Sequence, residues 1–164
     1  MTIDSKQFIP YICIMGIFMS IDFGEKRCGL AITDSLNTCA FALDTVPTKK
    51  IFEYLNDFFK INKPEIFVIG EPKQKDNSNS QIESLIKKFS RDFKKRFPSA
   101  KVHRHDERFT SKIAKRFLIN SGAKRKIRHN KSIIDKISAT IILQDFLDKY
   151  KNCLLYTSDA ADES

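Results

Sequence analysis

Acidic residues at three places, far apart in the sequence, are of the type that binds divalent metal ions. Asp22 ends the apolar run in "MSIDFG", Asp106 and Glu107 lie in "HDERFTS", and Asp135 interrupts an apolar helical stripe. A carboxylate in an apolar setting is costly without a partner, because it loses its hydration. Converging carboxylates bind hard divalent cations through oxygen. This pattern predicts a site for Mg²⁺ or Mn²⁺ at which a phosphodiester bond is hydrolysed.

Each acid also has a simpler interpretation. Asp22 could form the following turn by accepting local amide hydrogen bonds. Asp135 could lie in the first turn of a helix, where the helix dipole and neighbouring amides stabilise its charge, or it could pair with Lys131. Asp106 and Glu107 could cap the next helix. Glu71, which follows the apolar run "EIFVIG", is a fourth candidate ligand.

The pattern of apolar residues predicts the elements that position these acids. Continuous or alternating apolar runs predict five strands, over 17–23, 27–33, 40–46, 65–70 and 100–105. Apolar residues at helical spacing predict four helices, over 48–61, 82–97, 109–120 and 132–150. This order predicts an α/β fold with a five-stranded mixed sheet, its first three strands antiparallel, and helices on both faces. The layout resembles the RNase H-like fold, with the first strand in the centre.

The charge balance is basic, and one basic segment precedes Asp135. The chain has 29 Lys and Arg against 20 Asp and Glu, a net charge of +9, which favours polyanionic partners. The segment 123–131, "AKRKIRHNK", is interpreted as a phosphate-binding loop, or alternatively as a solvated linker. Arg108 could pair with a neighbouring acid or face a phosphate. The predicted nucleic-acid contacts in the segment are Lys124, Arg125, Lys126, Arg128 and Lys131.

Several classes of protein do not fit the sequence. The longest apolar run, residues 8–21, contains Pro10, Gly16 and Ser20 and is shorter than a membrane span needs. It also lacks the features of a signal peptide. The four cysteines lack metal-ligand spacing, so we expect a reduced, cytoplasmic protein that does not contact a membrane.

The two ends of the chain differ in composition from the rest. The tail 153–164, "CLLYTSDAADES", has three acids and no Lys or Arg and resembles a translated sequencing adapter. Residues 1–14 have no clear periodicity, and Met15 is a plausible start. We therefore expect one domain over residues 15–152, with a tail at 153–164 that is foreign to it and with residues 1–14 either foreign or an N-terminal extension that packs on the sheet.

Four motifs together resemble the YqgF family, also called RuvX-like, over about residues 15–150. They are "IDFGEKRCGLAITD", "VIGEPK", "DERFTS" and "IIDKISATIILQDFL", and they look most like members from the Bacteroidetes. The resemblance implies an RNase H-like nuclease that matures the 5′ end of 16S ribosomal RNA, or a resolvase of four-way DNA junctions. It implies catalytic roles for Asp22, Glu107 and Asp135, metal ligation by these and Asp106, and a basic pair at Lys26 and Arg27. Asn130 stands where relatives often have an aspartate.

Alternative functions follow from the same motifs. The stretch "DFGEKRCG" faintly resembles the phosphate loop of actin-like ATPases, but those enzymes need two such domains. A basic domain that binds nucleic acid or ribosomes without cutting is the other alternative. The partners expected are precursor ribosomal RNA or branched DNA and pre-ribosomal particles, bound by a monomer or a homodimer.

Overall fold

The fold is of the α/β class. Three strands come first in the chain, and two further strands then alternate with helices. A computed structural model describes residues 16–71, 80–106 and 110–159. The strands are β1 (Phe18–Phe23), β2 (Arg27–Thr33), β3 (Ala40–Pro47), β4 (Ile66–Glu71) and β5 (Lys101–Asp106). The helices are α1 (Ile51–Asn62), preceded by a 3-10 turn at Thr48–Lys50, α2 (Ser80–Arg96), α3 (Thr110–Asn120), α4 (Arg125–Arg128) and α5 (Lys131–Asp159).

The five strands form one mixed sheet in the order β3-β2-β1-β4-β5. β1 pairs antiparallel with β2, and β2 with β3, whereas β1, β4 and β5 run parallel. The predicted mixed sheet, with an antiparallel beginning and a central first strand, is confirmed. Because three parallel strands end at the same edge, the backbones of Asp22, Glu71 and Asp106 lie along that edge.

Helices cover both faces of the sheet, as predicted. On one face, Leu55 of α1 and Phe93 of α2 pack on Ile21 and Phe67. β1 and β4 are buried on both sides, which explains their nearly continuous apolar runs.

The opposite face of the sheet is covered by α5. Ala139 and Leu143 of α5 pack on Phe18 and Val68. α3 lies against α5 rather than on the sheet, through a small cluster of Ala114, Leu118 and Ile134.

Two elements differ from the sequence prediction. The predicted basic loop 123–131 contains α4, a single helical turn in which the amides of Ile127 and Arg128 bond to the carbonyl of Lys124. α5 continues past residue 150 to Asp159, because no Gly or Pro follows Tyr150 to end it. The expectation that 153–164 is an adapter-derived tail stays a prediction, and residues 1–14 lie outside the described part of the chain.

Within the described ranges, no helix has both the length and the apolar character needed to cross a bilayer.

Candidate active site

Asp22 is half-buried near the end of the central strand and lies on the α5 side of the sheet. The hydroxyl of Ser20 donates a hydrogen bond of 2.6 Å to the carbonyl of Ala139 in α5. Side chains two residues apart on a strand project from the same face. Asp22 therefore projects toward the helix that carries Asp135.

Gly29 brings Asp135 to the same point. Gly29 is the cross-strand partner of Asp22 in β2. The backbone of Asp135 lies directly on Gly29, so that a Cβ at this position would collide with the Asp135 carbonyl. The absence of a side chain lets α5 approach the sheet closely. Asp22 and Asp135, 113 positions apart in the printed sequence, thus come together beside one glycine.

The electrostatics of Cys28 agree with this arrangement. The pKa of the Cys28 thiol is raised to about 11, mainly by burial. Hydrogen bonds from Thr48 and Gly24 oppose this rise, and the negative charges of Asp22 and Asp135 add to it. Both carboxylates therefore act on the same buried group.

Arg27 neutralises part of this negative charge. Its Nε donates to Oδ2 of Asp135 at 2.6 Å, and the two side chains are 38% and 26% exposed. The sequence suggested Lys131 as a partner of Asp135 and a nucleic-acid contact for Arg27. The structure shows Arg27 bound to one carboxylate oxygen of Asp135, and the nucleic-acid contact of Arg27 stays a prediction.

Asn130 positions the helix that carries Asp135. Its side-chain oxygen accepts hydrogen bonds from the amides of Ser132 at 3.0 Å and Ile133 at 3.4 Å. This is the geometry of an N-terminal helix cap. The sequence analysis did not assign this role, although Asn immediately before an apolar helical pattern is a recognised signal for it.

The acids of the "DERFTS" motif lie only partly within the described chain. The backbone of Asp106 ends β5 opposite Glu71, whereas Glu107 and Arg108 fall outside the described residues. Among the residues that are described, no three His, Cys, Asp or Glu side chains are grouped to hold a metal. The third ligand therefore stays a prediction.

A second polar contact that the sequence analysis did not predict ties the end of β5 to α5. Nε2 of the buried His105 lies 2.6 Å from Oδ2 of Asp145, which Lys149 also contacts at 2.8 Å. Burial acts to raise the pKa of Asp145, but the hydrogen bonds and charges of Lys149 and His105 outweigh it, and the pKa is lowered. This pair fixes the strand just before Asp106.

The predicted phosphate contacts are mostly on the surface. Lys26 is exposed in the turn between β1 and β2, and Arg128 is half-buried. The remaining members of the segment are exposed: Lys124, Arg125, Lys126 and Lys131.

Comparisons with known proteins agree with this fold. The family described as "RuvX: Holliday junction resolvase" matches residues 16–149. A Flavobacterium johnsoniae protein, provisionally named pre-16S rRNA nuclease, is 47% identical over 79% of this chain and 94% of its own length. A Bacteroides fragilis protein of the same name is 42% identical over 82% of this chain and 97% of its own.

Solved structures with a similar fold include a junction resolvase bound to its substrate. T. thermophilus RuvC in complex with a Holliday junction substrate matches with a TM-score of 0.53 and 16% sequence identity. The match covers 83% of this chain and 96% of that one. The match confirms the RNase H-like arrangement inferred from the strand order. The relatives above confirm the predicted similarity to members from the Bacteroidetes. The chain therefore belongs to the RuvX family and is a nuclease.

Proposed function

We propose that this nuclease is a metal-dependent endonuclease that processes the 5′ end of precursor 16S ribosomal RNA. The observation that carries the proposal is the placement of Asp22 and Asp135 beside Gly29, at the edge where the parallel strands end. The names of the Flavobacterium and Bacteroides relatives support the choice of RNA substrate. A cytoplasmic location follows from this substrate.

The donor set fits Mg²⁺ or Mn²⁺. Both side chains offer hard carboxylate oxygens, and Arg27 pairs with one oxygen of Asp135. Asp22 and Asp135 would hold the metal, with Asp106 or Glu107 as the further ligand. A bound divalent ion at such a site supplies an activated water and stabilises the leaving oxygen of a phosphodiester.

The chain's own residues orient the site. Arg27 holds Oδ2 of Asp135 through a hydrogen bond of 2.6 Å. Asn130 and Gly29 fix the helix on which Asp135 is carried. Lys26, Arg108 and the cations of 124–131 would hold the phosphates on either side of the cut, which positions the substrate without reading its sequence.

Resolution of four-way DNA junctions is the second candidate function. The description of the matching family names this activity. A monomer would suit trimming of one RNA end, whereas a homodimer would suit two symmetric cuts in a junction. Pre-ribosomal particles are additional partners under the first function only.

The test compares cleavage of a precursor 16S RNA fragment and of a four-way junction by purified protein, with Mg²⁺ or Mn²⁺. We expect RNA cleavage that EDTA abolishes and that Asp22→Asn reduces by at least about a thousandfold. Asp44→Asn is the matched control, since Asp44 is also half-buried on the sheet but lies in β3. Equal cleavage by Asp22→Asn and the control would remove Asp22 from the mechanism, and cleavage of the junction alone would favour the second function.

A further inference from the structure

The outward surface of α3 and α4 combines positive charge with exposed apolar side chains. Residues 110–134 contain no Asp or Glu. Their eight Lys and Arg residues are Lys112, Lys115, Arg116, Lys124, Arg125, Lys126, Arg128 and Lys131. A surface of this kind is electrostatically complementary to a polyanion.

Large apolar side chains are exposed on the same surface. Phe117 is 60% exposed, Ile113 is 50% exposed and Ile119 is 56% exposed. Ile113 and Phe117 are four residues apart and lie on one side of α3. A protein seldom leaves an aromatic ring and neighbouring aliphatic groups this open without a partner for them.

A small cleft separates α3 from α4. It is lined by Lys115, Ile119, Arg128 and His129. Within the described part of the chain, Nε of Arg128 is buried from solvent and has no hydrogen-bond partner. A buried guanidinium N–H without an acceptor is costly. Arg128 and Lys115 line the cleft and are cationic hydrogen-bond donors. Phosphate oxygens are the acceptors that Arg and Lys bind most readily.

We propose that the outward surface of α3 and α4 binds single-stranded nucleic acid, with a phosphate in the cleft beside Lys115 and Arg128 and a base stacked on Phe117. The cleft and Phe117 lie on opposite flanks of α3, with Lys112 and Arg116 on the crest between them. A nucleic-acid strand that crosses α3, whose diameter is about 10 Å, therefore contacts the cations of the cleft on one flank and the ring of Phe117 on the other. Stacking requires an unpaired base, so the surface selects single strands over duplexes.

This proposal rests on the proposed function and gives it a substrate class, since a single-stranded RNA end would dock beside α5. Arg128 lies three residues before α5, and Asp135 lies in the second turn of that helix. A strand held on α3 and α4 would thus continue toward the proposed catalytic site.

The first experiment measures binding of a labelled single-stranded RNA of about 12 nucleotides by fluorescence anisotropy, in EDTA so that no cleavage occurs. Phe117→Ala should weaken binding by about tenfold. Phe41→Ala is the matched control, because Phe41 is an aromatic ring 55% exposed on β3, and it should bind as the wild type does. Both variants should melt near the wild-type temperature, since neither ring is buried.

The second experiment separates the contribution of base stacking to binding from the contribution of phosphate contacts. Phe117→Ala should not change binding of an abasic strand or of a duplex, because neither presents an unpaired base. The Lys115→Gln/Arg128→Gln double variant should weaken binding of all three, and its salt dependence should be shallower by about 0.7 per lost phosphate contact. Lys94→Gln/Lys95→Gln, on exposed positions of α2, is the charge-matched control.

Two outcomes would overturn the proposal. Equal binding by Phe117→Ala and Phe41→Ala would show that the ring does not contact a base. A wild-type dimer in sedimentation that Phe117→Ala converts to monomer would assign the surface to a second copy of the chain. Both readouts are independent of Asp22→Asn cleavage, so failure of the catalytic site and failure of this surface are distinguishable.

Discussion

Single side chains determine the charge at the candidate site, and Arg27 has the most direct effect. The Arg27–Asp135 pair is partly shielded from water, whereas the Lys60–Asp57 pair on α1 is exposed at both partners, at 73% and 70%. We expect Arg27→Gln to lower the free energy of unfolding by about 1 kcal/mol, since a charge-assisted hydrogen bond is lost at a half-buried place. Urea denaturation measures the effect. Lys60→Gln is the control and should change stability by about 0–0.5 kcal/mol; equal effects of the two variants would show that Asp135 does not depend on Arg27.

The reactivity of the Cys28 thiol measures how tightly β2 is packed next to Arg27. With a pKa of about 11, its thiol is almost entirely protonated at pH 8, and the protonated form is a poor nucleophile. We expect iodoacetamide to modify the exposed Cys39 and Cys153 of the metal-free protein within minutes and to leave Cys28 unmodified until the protein unfolds. Peptide mass spectrometry distinguishes the sites. Rapid modification of Cys28 in the native protein would contradict its close packing against Thr48 and the core on the α1 and α2 side of the sheet.

The positions of whole helices and strands depend on long-range contacts, which the local spacing of apolar residues does not predict. Apolar spacing sufficed for the strands and the long helices, because each buries a stripe or a face. It did not predict that Gly29 contacts Asp135, or that Ser20 bonds Ala139, because these partners are distant in sequence. It also missed α4, a single turn rich in cations with one apolar residue, Ile127, which has no amphipathic period to detect.

Gly29 and Gly122 provide a matched test of how α5 is positioned. Gly122 ends α3 with a φ of +71° and open space around it, so Gly122→Ala should cost about 1–2 kcal/mol through backbone strain alone. Gly29→Ala pushes the α5 backbone away from β2, and we expect it to cost about 3 kcal/mol and to abolish cleavage. Denaturation and cleavage assays on both variants check this. Cleavage retained by Gly29→Ala would show that Asp135 need not lie against the sheet.

At the scale of the whole molecule, the stability of the fold depends on whether the proposed metal site is occupied. The sequence motifs predicted that these acids share one site, and the parallel ends of β1, β4 and β5 explain why the backbones of Asp22, Glu71 and Asp106 lie along one edge of the sheet. The role of Glu107 was inferred from resemblance and stays a prediction. Since a ligand that binds only the native state stabilises it, metal binding should appear as a change in melting temperature.

We expect Mg²⁺ or Mn²⁺ at about 100 times its dissociation constant to add about 2.7 kcal/mol to the free energy of unfolding. For a chain of this size that is a rise in melting temperature of roughly 5–10 °C. Asp22→Asn should lose the rise, because the variant lacks one of the two carboxylates proposed to bind the metal. Asp44→Asn should keep the rise, and NaCl at equal ionic strength serves as the salt control. If Asp22→Asn gained as much as the wild type from the metal, the ion would be bound elsewhere, and the assignment of Asp22 and Asp135 as its ligands would be wrong.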